Sequence, residues 1–186
     1  MKSYLVVTDA ITLAIESCAF LITLIVYKYH GIRFSLVDKS SLKTAQDHQL
    51  YSCLVTTFMV AANSLYATPL AYELVALSMD VIDRRQIFYT SLMCSGFLFM
   101  LTLYIVHRVR GCHFSLYARI YMYGASVVVV LNYVQLVLRG YLDINVLYDY
   151  HIYSLGVISI NILTAFILLC VPIKYLVHVF AAQKKV

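Results

Sequence analysis

A carboxyl group in the middle of an apolar run is an expensive choice of residue, and Glu16 makes it near the centre of the run 4–27. Three further runs place an amide at a comparable level: Asn63, Asn132 and Asn161. The remaining run has only Ser95 and Gly96 at its middle. An acid surrounded by amides can hold a proton or a cation, or it can cross-link helices. A charged side chain at the centre of a bilayer costs about 2.5–3.5 kcal/mol on insertion scales, so Glu16 should face the bundle interior. Interhelical polar pairs contribute roughly 0.6 kcal/mol each and help to set register. The simpler expectation is therefore an intramembrane polar layer of Glu16, Asn63, Asn132 and Asn161 that ties the helices together. An ion site at Glu16 is the functional alternative.

The other charged residues with possible chemistry sit near the ends of the runs. Glu73 lies about one turn inside the run 50–77, where Arg84, Arg85 or Arg139 would be natural ion-pair partners. Four histidines, His30, His107, His113 and His178, gather toward the opposite ends, with His48 in a connector. No two of them stand at i,i+4 or beside a carboxylate in ligand spacing, so neither a metal nor a haem is expected, and no cofactor. Arg108 and His113 are five residues apart across a turn containing Gly111, a weak basis for nucleic-acid cleavage. The sequence contains no Gly-x-Ser-x-Gly, His-Glu-x-x-His or phosphate-loop pattern. The five cysteines are scattered without a C-x-x-C pair and read as small hydrophobes.

These residues need helices to position them. The chain has 186 residues, 62% hydrophobic and 12% charged, with mean hydropathy +0.83. Ordinary soluble domains are about 45–50% apolar and about 25% charged, so water is the wrong solvent for this composition. Crossing a hydrocarbon core takes about 20 mainly apolar residues. Five runs qualify, 4–27, 50–77, 87–106, 116–138 and 152–176, and together they predict an all-α polytopic membrane helix bundle in a single domain over 1–186. The first run holds Asp9 and Glu16 and lacks a small-x-small cleavage site, so it reads as a retained helix. Pro69 and Pro172 fall inside predicted helices and mark plausible bends.

Direction follows from the positive charges. With the N-terminus outside, Lys28, Arg33, Lys39, Lys43, Arg108, Arg110, Arg119, Lys174, Lys184 and Lys185 are cytoplasmic, ten of the 14 Lys and Arg. Lys2, Arg84, Arg85 and Arg139 fall on the other side. The chain has 17 Tyr and no Trp, and tyrosines such as Tyr27, Tyr29 and Tyr51 inside and Tyr141, Tyr148 and Tyr150 outside suit the two water–lipid boundaries. The stretch 26–36 echoes 106–116, each with a Gly followed at a distance by Phe-Ser-Leu, a hint of a parallel repeat.

The net charge of +5 is dispersed over short connectors, which argues against a nucleic-acid partner. The expected protein is a non-enzymatic integral membrane component that works through protein contacts, as a homo-oligomer or a subunit beside a partner. In general build it is similar to small bacterial immunity proteins and membrane parts of phage-defence systems. Lys28, Arg33, Arg108, Arg110 and His113 form the expected cytoplasmic interaction face. An ion- or proton-conducting subunit using Glu16 and an intramembrane enzyme are the alternatives. The bilayer itself is a partner in each case. The bacterial inner membrane is the expected location, with an organellar inner membrane giving the same pattern.

Overall fold

The computed structural model describes residues 2–30 and 42–183, with side chains described over 6–30 and 42–177. Their regular structure is helical throughout: α1 (Lys2–His30), α2 (Ala45–Ala76), α3 (Val81–Arg110), α4 (Leu116–Gln135), a short α5 (Val146–Asp149) and α6 (Ile152–Gln183). Among the described residues, five of these helices are long and apolar enough to cross a membrane. The architecture is an all-α bundle built around five helices of membrane-spanning length and apolarity.

Local capping explains where the helices start and stop. Thr44 and Asp47 form a reciprocal capping box at the head of α2, with the Asp47 carboxylate accepting the Thr44 N–H at 2.8 Å. Asp80 caps α3 by accepting the Ile82 N–H at 3.0 Å, and Ser115 caps α4 by accepting the Ala118 N–H at 3.2 Å. Gly111 ends α3 in the left-handed region at φ 65, which a residue lacking Cβ adopts without strain. The helix thus outruns the predicted span 87–106 at both ends. Hydropathy fades at Arg84 and Arg108, whereas the backbone follows its caps. The predicted span 116–138 also changes character near its end, where α4 passes into a π-helical turn, Leu136–Tyr141. There Gln86 Nε2 donates to the Gly140 carbonyl at 2.8 Å, and a Cβ on Gly140 would come 3.2 Å from Gln86 Cγ.

The five long helices close into a ring in which each touches the next: α1, α2, α3, α4, α6 and back to α1. Because the count is odd, α1 and α6 are neighbours that run parallel. Cross-helix bonds place residues on three levels. Asp9, Tyr72, Asn132 and Tyr153 lie toward the end that carries the Asp80 turn. Glu16, Ser64 and Tyr121 meet at mid-height. Ser52, His107 and Ser115 lie toward the end that carries the Gly111 turn, referred to below as the His107 end.

The two halves of the bundle are packed differently, and α2 is the reason. Eight consecutive α2 residues, Leu50–Thr57, are buried. A helix buried on every side runs through an interior. This part of α2 fills the centre of the ring at the His107 end, touching α4 and α6 as well as its two ring neighbours. From Phe58 onward α2 exposes a side, with Leu65 62% and Tyr66 60% accessible, so it has moved out to the wall. The centre it vacates toward the Asp80 end becomes a cavity.

Candidate functional site

That cavity has a volume of about 220 Å³ and takes wall residues from all five long helices. A single water claims about 30 Å³, so the space accommodates several waters or one small polar group. Its composition is unlike the rest of this apolar chain. α1 contributes Asp9, Thr12 and Glu16, and α2 contributes Asn63, Ser64 and Thr68. Ser95 and Gly96 come from α3, Tyr121 and Asn132 from α4, and Tyr153, Asn161 and Thr164 from α6.

Glu16 is 1% exposed, and both of its carboxyl oxygens accept hydrogen bonds. Ser64 Oγ donates to Oε2 at 2.5 Å, and Tyr121 O–H donates to Oε1 at 3.2 Å. Accepting at both oxygens is the pattern of a carboxylate held in place by donors. Toward the Asp80 end, Tyr72 O–H donates to Asp9 Oδ2 at 2.8 Å, fixing a second acid among the chamber-lining residues. Among the described residues no Lys, Arg or His lines the chamber, so its electrostatic character is that of two acids among hydroxyls and amides.

The amides divide into two kinds. Asn132 is 2% exposed and engaged at both ends of its amide: its Nδ2 donates to the Val128 carbonyl at 3.0 Å, and its Oδ1 accepts from Tyr153 O–H at 2.7 Å. Asn63 and Asn161 line the chamber, and their side-chain amides make no hydrogen bond among the described residues. Two uncommitted amides and a bound carboxyl in one cavity can coordinate a polar guest. On the side of the His107 end the chamber is bounded by Phe99 and Tyr121, whose rings meet edge-on with centroids 5.7 Å apart. Beyond them lies close-packed core, including Leu50, Leu54, Leu103 and Leu168.

The four residues of the predicted polar layer therefore converge, but not through the contacts the sequence suggested. Glu16 bonds to hydroxyls and to none of the three amides. Ser64, Tyr121 and Tyr153 carry the key bonds and were missed. Ser64 stands beside Asn63 in sequence, but a lone serine in an apolar run does not stand out as a partner for a buried acid.

The expected ion pairing near the Asp80 end is also rearranged. Arg85 pairs with Asp143 at 2.5 Å, and its Nη1 also donates to the Arg139 carbonyl at 3.3 Å. Arg84 Nη1 donates to the Leu77 carbonyl at 3.3 Å. Arg139 donates to Asn145 Oδ1 at 2.9 Å and to Tyr89 O–H at 3.2 Å, with its guanidinium 3.5 Å from the centre of the Tyr148 ring. Glu73 is exposed and joins no ion pair among the described residues. Its place is taken by Asp143, which the turn at φ 52 brings to Arg85.

At the His107 end, Lys28, Arg108 and His113 are exposed as expected, while Arg33 lies outside the described residues. Arg110 does not belong to that face. It is 0% exposed, and its guanidinium carbon lies 4.7 Å from the centre of the Tyr51 ring. Tyr51 and Tyr27 are likewise buried rather than interfacial, packed against one another at 6.3 Å. His107 is 1% exposed, with Nδ1 donating to the Leu103 carbonyl at 2.8 Å and Nε2 lying 2.9 Å from Ser52 Oγ. In the following turn, burial pushes the Cys112 thiol up to about 11, so it is neutral and unreactive near pH 7.

Among the described residues no cluster of three His, Cys, Asp or Glu is arranged to hold a metal ion. No family model, no curated protein and no solved structure matches this chain.

Proposed function

We propose that this is a non-enzymatic multi-pass membrane protein, N-terminus outside and C-terminus in the cytoplasm, whose chamber binds a small cation or ammonium group. The observation that carries this reading is the Glu16 carboxyl, 1% exposed, with donors on both oxygens in a cavity that no basic residue among those described lines. A buried acid without a basic partner favours a cationic guest, since an unpaired charge in a low dielectric is costly. The 10:4 division of Lys and Arg supports the orientation, and it puts the Asp80 end, toward which the chamber lies, outside. The bacterial inner membrane suits the charge pattern, as does an organellar inner membrane.

The chamber is bounded by the Phe99–Tyr121 contact and by α2 beyond it. This arrangement favours a binding site over an open conduction path through a single chain. The walls offer hydroxyls, amides and carboxyls, groups suited to holding a guest.

A second reading, action through protein contacts as a homo-oligomer or subunit, is favoured by one feature of the His107 end. Lys28, Arg108 and His113 are exposed there, as is Tyr29, a basic face open to a soluble partner or a second copy.

Native mass spectrometry on gently extracted protein, with ethylammonium, Na⁺ or K⁺ added, tests both. Binding of one of these cations to wild type and its loss in Glu16→Gln, at equal thermal stability, is the expected result. The amide can still accept from one donor, so the fold should survive. Cation binding unaffected by Glu16→Gln would overturn the chamber reading. A co-purifying protein released by charge reversal at Lys28 and Arg108 would establish the second.

A further inference from the structure

A second cavity, also about 220 Å³, lies on the flank of the bundle between α2 and α3. Its walls include Met59, Ala62, Leu98 and Thr102, and it is almost wholly apolar. It shares Asn63, Ser95 and Phe99 with the polar chamber, so one layer of side chains separates the two spaces. Phe99 also touches Tyr121, which bonds Glu16, so the shared wall is two contacts away from the buried acid. Ser64, the other donor to Glu16, is next in sequence to Asn63 in that wall.

The surroundings of the flank cavity are apolar and accessible. Of its own wall residues, Leu98 is 62% exposed and Tyr66 60%. In the orientation proposed above, this flank faces acyl chains rather than water. A polar chamber with an apolar annex on the lipid side matches a guest with a charged head and a hydrocarbon tail. A purely inorganic ion would make no use of the annex, and a purely apolar guest would leave the two free amides, Asn63 and Asn161, unsatisfied.

Building on the chamber reading, we infer that the ligand is a single-chain cationic amphiphile: an ammonium head at Glu16 with an alkyl tail leaving sideways between α2 and α3. Asn63 and Ser95 lie where head meets tail and supply the polar contacts there. The tail follows Met59, Ala62 and Leu98 out to the lipid.

The test compares dodecylammonium with ethylammonium on protein in lipid nanodiscs, read by native mass spectrometry and ligand-dependent thermal shift. Ala62→Trp fills the flank cavity without touching the chamber, because Ala62 lines only the former. It should weaken dodecylammonium at least about tenfold, the worth of a few buried methylenes, and leave ethylammonium unchanged. Leu98→Trp, at a second exposed position of the same cavity, provides the same block should the first variant misfold. Dodecylammonium binding that depends on Glu16 but ignores both indoles would overturn the amphiphile inference and leave the chamber reading intact. Failure of dodecylammonium to bind wild type would remove this inference; if ethylammonium, Na⁺ and K⁺ also failed, the chamber reading would go with it.

Discussion

At the scale of single residues, burial rather than sequence position decides what a charged group does. Glu16 was legible because an acid within an apolar run has so few affordable places to go. Ser64, Tyr121 and Tyr153 were not, since hydroxyl residues are tolerated at any depth and 17 tyrosines give no contrast. Arg110 shows the converse error: next to a turn and two residues from Arg108, it reads as surface, yet the α3 terminus turns it inward onto Tyr51. Arg110→Ala should therefore lower stability by about 3 kcal/mol through lost packing and a lost cation–π contact. Arg108→Ala, on the exposed side, should stay within about 0.5 kcal/mol. Thermal unfolding in a single detergent compares the two, and equal midpoints would refute the inward placement.

At the scale of elements, the apolar runs located all five long helices, and local capping chemistry set their ends. What hydropathy could not convey was the path of α2, because a helix that is interior at one end and peripheral at the other looks uniformly apolar. Close approach between helices was similarly hidden. A Cβ on Gly124 would lie 2.7 Å from Thr164 Cγ2, so α4 and α6 meet there only because one partner is glycine. Gly124→Ala should destabilise by about 1–3 kcal/mol. Thr164→Ser removes the obstructing methyl and keeps the hydroxyl that donates to the Ile160 carbonyl. The double variant should recover most of the loss, and a thermal-melt double-mutant cycle showing plain additivity would count against the contact.

At the scale of the whole molecule, sequence supplied a direction and structure supplied an asymmetry. The orientation proposed from the charge count puts the Gly111 turn in the cytoplasm and the Asp80 turn outside. A membrane-impermeant maleimide on intact cells checks this directly. Tyr141→Cys, at a position 67% exposed, should label, and Lys43→Cys should label only after permeabilisation. Native Cys112 should add little signal, since burial holds its thiol neutral until about pH 11. Its labelling should rise only as pH climbs from about 9 toward that value, and the opposite pattern for the two introduced thiols would invert the topology.

The closed ring also constrains how the protein is made. Glu16 emerges in the first helix, but Tyr121, which completes its shell, follows 105 residues later. At ribosomal speeds of about 5–20 residues per second, that interval is about 5–20 s. For that time the carboxyl has at most Ser64 as its partner from this pair, in a bundle that lacks its closing helix. The nascent chain is thus most exposed to quality-control proteases before its last span arrives, and a ribosome stalled short of α6 would leave a four-helix intermediate with an open seam beside α1.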